Sequence, residues 1–171
     1  MGLGSGMILP TESVRVLVVD DSRVIRAVVK SCLRSTGYAV DEAPDGLAAL
    51  QLCDEQGYDV VVSDVTMPGL DGLGLMHVLD QRADRPEVVL LTAASSDLSR
   101  EAAQRGMSLG AHETLSKPPA APDTVVLAVQ RALQRKRVRD QGRRAEPTRR
   151  AGALSAQRTA PSPVLKATMA S

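Results

Sequence analysis

The chain has 171 residues, 43% of them hydrophobic, which is enough for one packed domain and a tail but thin for two domains of ordinary size. Tyr38 and Tyr58 are the only aromatic residues, so the core is expected to be aliphatic and an aromatic-caged ligand is not expected; no apolar run approaches the roughly 20 residues that span a bilayer, the start does not read as a signal-like leader, and the expected location is the cytoplasm without membrane insertion. The net charge of +1 conceals a segregation, with 10 Lys or Arg against 18 Asp or Glu in residues 1–130 and 11 against 2 in residues 131–171.

Residues 1–13 read as a flexible N-terminus. Arg15 to Val19 is a β-branched run too short for a helix, ends at Asp20-Asp21, and is expected to be a buried strand. Ser22 is placed to cap a helix carrying Val24, Ile25, Val28, Val29, Cys32 and Leu33, stopped by Gly37. A brief strand near Tyr38 to Val40 leads through Pro44-Asp45-Gly46 to a helix with Leu47, Leu50 and Cys53 on one side. Asp59 to Ser63 is a third strand. A turn-rich loop with Pro68, Gly69 and Gly72 follows it, and then a helix with Leu73, Met76 and Leu79. Glu87 to Leu91 is a fourth strand, and Asp97 to Leu109 is helical by composition but interrupted at Gly106. His112 to Ser116 is a fifth, weaker strand, and Asp123 is placed to cap a last helix with Val125, Val126, Val129, Ala132 and Leu133.

Five strand-helix units whose strands are apolar on both faces imply a parallel sheet covered on both sides, a doubly wound α/β domain over residues 14–137. From 138 to 171 the composition turns to Arg, Ala, Gly, Pro, Ser and Thr, and an arginine-rich, disordered tail is expected. Cys32 and Cys53 lie in helical segments without metal-ligand spacing and are expected to be buried and reduced. His77 and His112 lack a second ligand at metal spacing and read as structural, while Met76 and Met107 read as core filler.

Ligands of open α/β sheets sit outside the carboxyl ends of the strands. The residues just past the strands here are Asp20 and Asp21 after the first, Asp64 after the third, Thr92 after the fourth and Lys117 after the fifth. Taken singly, an Asp at a strand end is usually a cap and a Thr a β-former. Together, three converging carboxylates repel one another unless a hard dication joins them, and Mg2+ takes oxygen ligands of this kind and shares them with phosphate. A lysine and a hydroxyl beside them suit a phosphoryl group, and one Asp is then free to act as nucleophile.

The strings Val-Leu-Val-Val-Asp20-Asp21-Ser22, Val-Val-Ser-Asp64-Val-Thr-Met67-Pro68-Gly-Leu-Asp71-Gly72, Leu-Leu-Thr92-Ala93 and Gly110-Ala111 through Ser116-Lys117-Pro118 resemble the CheY-like receiver domains of two-component response regulators. The resemblance implies a flavodoxin-like sheet of order 2-1-3-4-5 and a signalling switch rather than an enzyme. Its chemistry would be limited to self-phosphorylation and autodephosphorylation. It assigns Asp64 as acceptor of a phosphoryl group from a sensor histidine kinase or phosphotransfer protein. Asp21, Asp64 and the Thr66 carbonyl become Mg2+ ligands, Asp20 acts through water, and Thr92 and Lys117 become partners of the phosphoryl oxygens. The chain departs from the pattern at Thr114, where such receivers usually carry Tyr or Phe. The spacing from Thr92 to Lys117 is similar to that of chemotaxis methylesterase receivers.

Only 41 residues follow position 130, with neither a helix-turn-helix pattern nor a nucleophile elbow, so a single-domain regulator signalling to a downstream protein is expected. The alternative is the receiver portion of a longer methylesterase or transcription factor. The basic tail suits polyanions, and Arg137-Val-Arg139-Asp140 contains an Arg-x-x-Asp spacing that resembles cyclic di-GMP sites.

Overall fold

β-Branched side chains suit strands that are covered on both faces, and the valine-rich runs occupy the middle of a sheet. The computed structural model describes residues 14–93 and 97–155, so the expected flexible segment 1–13 lies outside the described residues. The elements are β1 (Arg15–Val19), α1 (Arg23–Arg34), β2 (Ala39–Ala43), α2 (Gly46–Glu55), β3 (Val60–Asp64), α3 (Gly72–Asp80), β4 (Glu87–Ala93), α4 (Asp97–Leu109), β5 (Glu113–Lys117) and α5 (Pro122–Ser155). The strands pair in parallel in the order β2-β1-β3-β4-β5, the doubly wound arrangement expected from the sequence.

Alternation along the strands divides the core. Val16, Val18 and Val62 face Val29 and Leu33 of α1 and Val125, Val129 and Ala132 of α5. Leu17, Val19, Val61 and Leu90 form the other face with Ala49 of α2 and Leu75 and Leu79 of α3. Three helices start at side-chain caps: Ser22 Oγ accepts from the Ile25 N–H (3.4 Å), Asp45 Oδ1 from Ala48 (2.8 Å) and Asp71 Oδ1 from Gly74 (2.7 Å).

Several local expectations are corrected. Gly106 does not interrupt α4, because the residue lies within the helix and is buried; a Cβ there would come within 2.3 Å of Leu90 Cδ1, so this glycine lets α4 lie close against β4. Leu47 is exposed and Ala49 takes the buried position of α2, while Met107 is exposed rather than core filler. Asp123 falls in the first turn of α5, not before it. Both cysteines are free as expected, but partly rather than fully buried, with burial pushing the Cys53 thiol up to about 11.

The last helix continues beyond position 137 to Ser155. This continuation is rich in Arg and Ala, which are strong helix formers even where nothing apolar is buried, and it also carries Gly142, Pro147 and Gly152, which are not. The chain divides into two compact units, one up to Lys136 and one from Arg137.

At the start of β4 and β5 the first unit holds a half-buried charge cluster. Glu87 of β4 is buried, with Arg135 of α5 at 3.5 Å, and Glu113 of β5 pairs with Arg131 of α5 (2.6 Å). His112 sits among them, held below its ordinary range by burial, then by Arg135 and Arg131, against the pull of Glu87 and Glu113. As pH falls through about 6.5 the unfolded chain takes up a proton that the folded His112 resists, so the domain loses stability. Urea unfolding at pH 7.5 and pH 5.5 should show a smaller acid-side loss in His112→Gln than in the wild type; equal losses would refute this assignment.

Candidate phosphoryl site

Strand order reverses between β1 and β3, which opens a crevice at their carboxyl ends. The chain leaves β1 through Asp20 and Asp21, and β3 ends on Asp64 itself, one residue later than the sequence suggested. Asp20 and Asp64 are buried and Asp21 is exposed, with ligand oxygens of all three within 4.8 Å of one another.

Lys117, the last residue of β5, reaches into this crevice. Its ammonium donates to Asp64 Oδ2 at 2.6 Å and to Asp20 Oδ2 at 3.0 Å. The other Asp64 oxygen accepts from the Thr66 N–H at 3.0 Å, and Asp20 Oδ1 accepts from the Ser22 N–H at 2.8 Å. Burial raises the Asp20 carboxyl above its ordinary range despite the opposing Ser22 and Lys117 contacts, and the Asp64 charge adds to the rise. Burial pulls the Lys117 ammonium down, but its bonds to Asp64 and Asp20 outweigh that and hold it above its usual value.

The register sets Asp64 opposite Leu91, so that Thr92 lies one residue farther along β4. Thr92 stands inside β4 rather than past it, and pairs in register with Ser116. Thr114, at the position that departs from the receiver pattern, is half-buried opposite Leu90. Thr66 is exposed at the rim and its N–H already orients Asp64. The five predicted strand-end side chains thus stand at one edge of the sheet, and the structure joins Asp20, Asp21, Asp64 and Lys117 into one cluster.

Arg26 was not legible as part of this edge. From the second turn of α1 its guanidinium donates to the Asp20 carbonyl at 2.7 Å and approaches Glu42 Oε1 of β2 at 3.5 Å. Glu42 also binds Lys30, whose hydrogen bond holds its carboxyl below the ordinary range. The pair ties the acidic loop to β2. The signal available in the sequence was only a basic residue six positions after Asp20, which also suits a solvated helix face.

The donor set fits Mg2+: the described residues offer oxygen ligands alone, two of them on buried carboxylates whose mutual repulsion a dication would relieve. Among the described residues no helix is long and apolar enough to cross a membrane.

Comparison with known proteins agrees with this geometry. A family model of the response regulator receiver domain matches residues 16–130. The response regulator MprA of Mycobacterium sp. (strain KMS) is 41% identical over 129 residues, covering 75% of this chain and 54% of that protein, so the chain spans about half the length of such relatives. The chemotaxis response regulator CheY4 of Vibrio cholerae has a similar structure (TM-score 0.63, 34% identity, 71% of this chain and 99% of that one). NtrX from Brucella abortus matches with a TM-score of 0.69 and 26% identity over 78% of this chain and 29% of its own. With the parallel sheet, the acidic crevice and its lysine in place, the chain belongs to the response regulator receiver family.

Proposed function

We propose that Asp64 is the phospho-acceptor of a signalling switch, charged from the phosphohistidine of a sensor kinase or phosphotransfer protein. The observation that supports this best is the clamp on Asp64: Oδ1 is held by the Thr66 N–H and Oδ2 by Lys117, so the carboxylate is buried and oriented without rotamer search. In the transfer, a carboxylate oxygen of Asp64 attacks phosphorus, the P–N bond breaks, and the electron pair returns to the departing imidazole, which takes up a proton. Asp21, Asp64 and the Thr66 carbonyl would hold Mg2+, with Asp20 acting through water, and the ion would supply neutralising charge for the phosphoryl oxygens. Lys117 is placed to follow a phosphoryl oxygen once it leaves Asp64 Oδ2, and the Thr92 hydroxyl to donate to another. Hydrolysis by water breaks the P–O bond and restores the carboxylate, so the chain's own chemistry is limited to loading and slow clearing of Asp64. The added charge at the sheet edge then alters the surface that a downstream protein reads. The same switch would serve a single-domain regulator or the receiver portion of a longer one, and the greater length of the matched relatives favours keeping the second arrangement in view.

Incubation with acetyl phosphate and Mg2+ is expected to add one phosphoryl group per chain by intact mass. Chelation with EDTA should abolish the gain, and Asp64→Asn should show none. Full labelling of that variant, or labelling unaffected by EDTA, would defeat the proposal.

A further inference from the structure

The second unit is the most basic part of the molecule and the switch makes no use of it. Residues 137–171 carry eight Lys or Arg against Asp140 and Glu146, and six of these arginines lie in the helical stretch 137–155. In the first unit the neighbouring cations are engaged, Arg131 by Glu113 and Arg135 by Glu87. Residues 137–155 carry six Arg against two acids, and Arg139 has Asp140 at 3.6 Å. At about 100° per residue, positions 139 and 143 fall on one side of the helix and positions 137 and 144 on another, roughly 130° away, all four before Pro147. Large apolar residues between 137 and 155 are Val138 and Leu154 alone, so the helix lacks the face that would insert into a membrane or build a coiled coil.

We propose that the helix from Arg137 binds double-stranded DNA through its phosphates, independently of base sequence. Two basic rows on either side of a helix match the two phosphate strands that flank a groove wide enough to admit it. Guanidinium groups suit the phosphate oxygens because their planar donor fork binds them bidentately. Single strands are the poorer match, since residues 137–171 contain no aromatic side chain on which bases could stack. The first unit, with 13 Lys or Arg against 18 Asp or Glu up to position 136, repels nucleic acid and does not compete for it.

The test is fluorescence anisotropy of a labelled duplex titrated with the full chain. Binding is expected at about 50 mM salt and should weaken by roughly two to three orders of magnitude by about 200 mM, equally for a scrambled duplex. Combined Arg137→Gln, Arg143→Gln, Arg144→Gln and Arg150→Gln should weaken binding at least about tenfold and lower the salt slope by about 3 to 4, at roughly 0.9 per phosphate contact. Phosphoryl uptake of that variant should match the wild type, which reports an intact first unit. The proposal is overturned by absence of duplex binding at low salt, by unchanged binding of the variant, by tighter binding of a single strand, or by salt-resistant binding of cyclic di-GMP in place of the duplex.

Discussion

Gly72→Ala is expected to destabilise the domain by about 3 kcal/mol or more and to cripple phosphoryl uptake at the same time. A Cβ on Gly72 would stand 2.1 Å from the Asp64 carbonyl oxygen and 3.0 Å from both the Asp64 carbonyl carbon and Val65 Cα. These are backbone atoms of the β3 end, and the Gly72 N–H donates to the Val65 carbonyl at 3.0 Å, so neither side can yield without moving the acceptor loop. Two other glycines calibrate the effect. A Cβ at Gly74 would meet the Leu70 side-chain tip at 2.8 Å, which can rotate away, and one at Gly57 would meet nothing within 4 Å. Urea unfolding should therefore rank Gly72→Ala far above Gly74→Ala, with Gly57→Ala within about 0.5 kcal/mol of wild type. Equal losses for Gly72 and Gly57 would show that the close approach carries no strain.

Lys117→Ala is expected to lower the stability of the Mg2+-free protein by about 2–4 kcal/mol, because it strands two buried carboxylates that share one ammonium. The loss should be partly recovered by Mg2+, and the variant should gain more stability from the ion than the wild type does, since in the wild type Lys117 already neutralises part of the carboxylate charge. Thermal unfolding with and without Mg2+ measures both quantities. A smaller Mg2+ gain in the variant would mean that the lysine supports the cation site instead of competing with it. Lys117→Arg keeps the charge and separates loss of charge from loss of packing.

Most of the sheet was legible because buried parallel strands must be apolar on both faces, and few other segments of five valine-like residues could exist. Their polar neighbours were legible for the complementary reason. Asp20, Asp21 and Asp64 end apolar runs, whereas Lys117 ends the mostly polar β5 and was legible only by its place after the fifth strand. The helices were read less well. Val24 and Leu47 fit the expected stripes, yet they are 70% and 66% exposed, because a stripe fixes a period and not the angle at which the helix meets the sheet. Gly106 was read as a breaker on local propensity, whereas close packing of α4 on Leu90 decides its identity. Gly72 was read as part of a turn-rich loop. It does not adopt the left-handed conformation seen at Gly37, Gly69 and Gly110, and its role is to leave room for the Asp64 carbonyl. Arg26 escaped notice because its partner at the site is a backbone carbonyl, which no pattern of side chains announces.

The central claim is that the phosphoryl group is carried by one particular carboxylate among three close neighbours. Borohydride reduces an aspartyl phosphate to homoserine, so trapping the protein after acetyl phosphate and Mg2+ treatment, followed by peptide mass spectrometry, marks the acceptor directly. Homoserine at position 64 alone is the expected result; homoserine at Asp20, Asp21 or Asp71 with position 64 unmodified would contradict it.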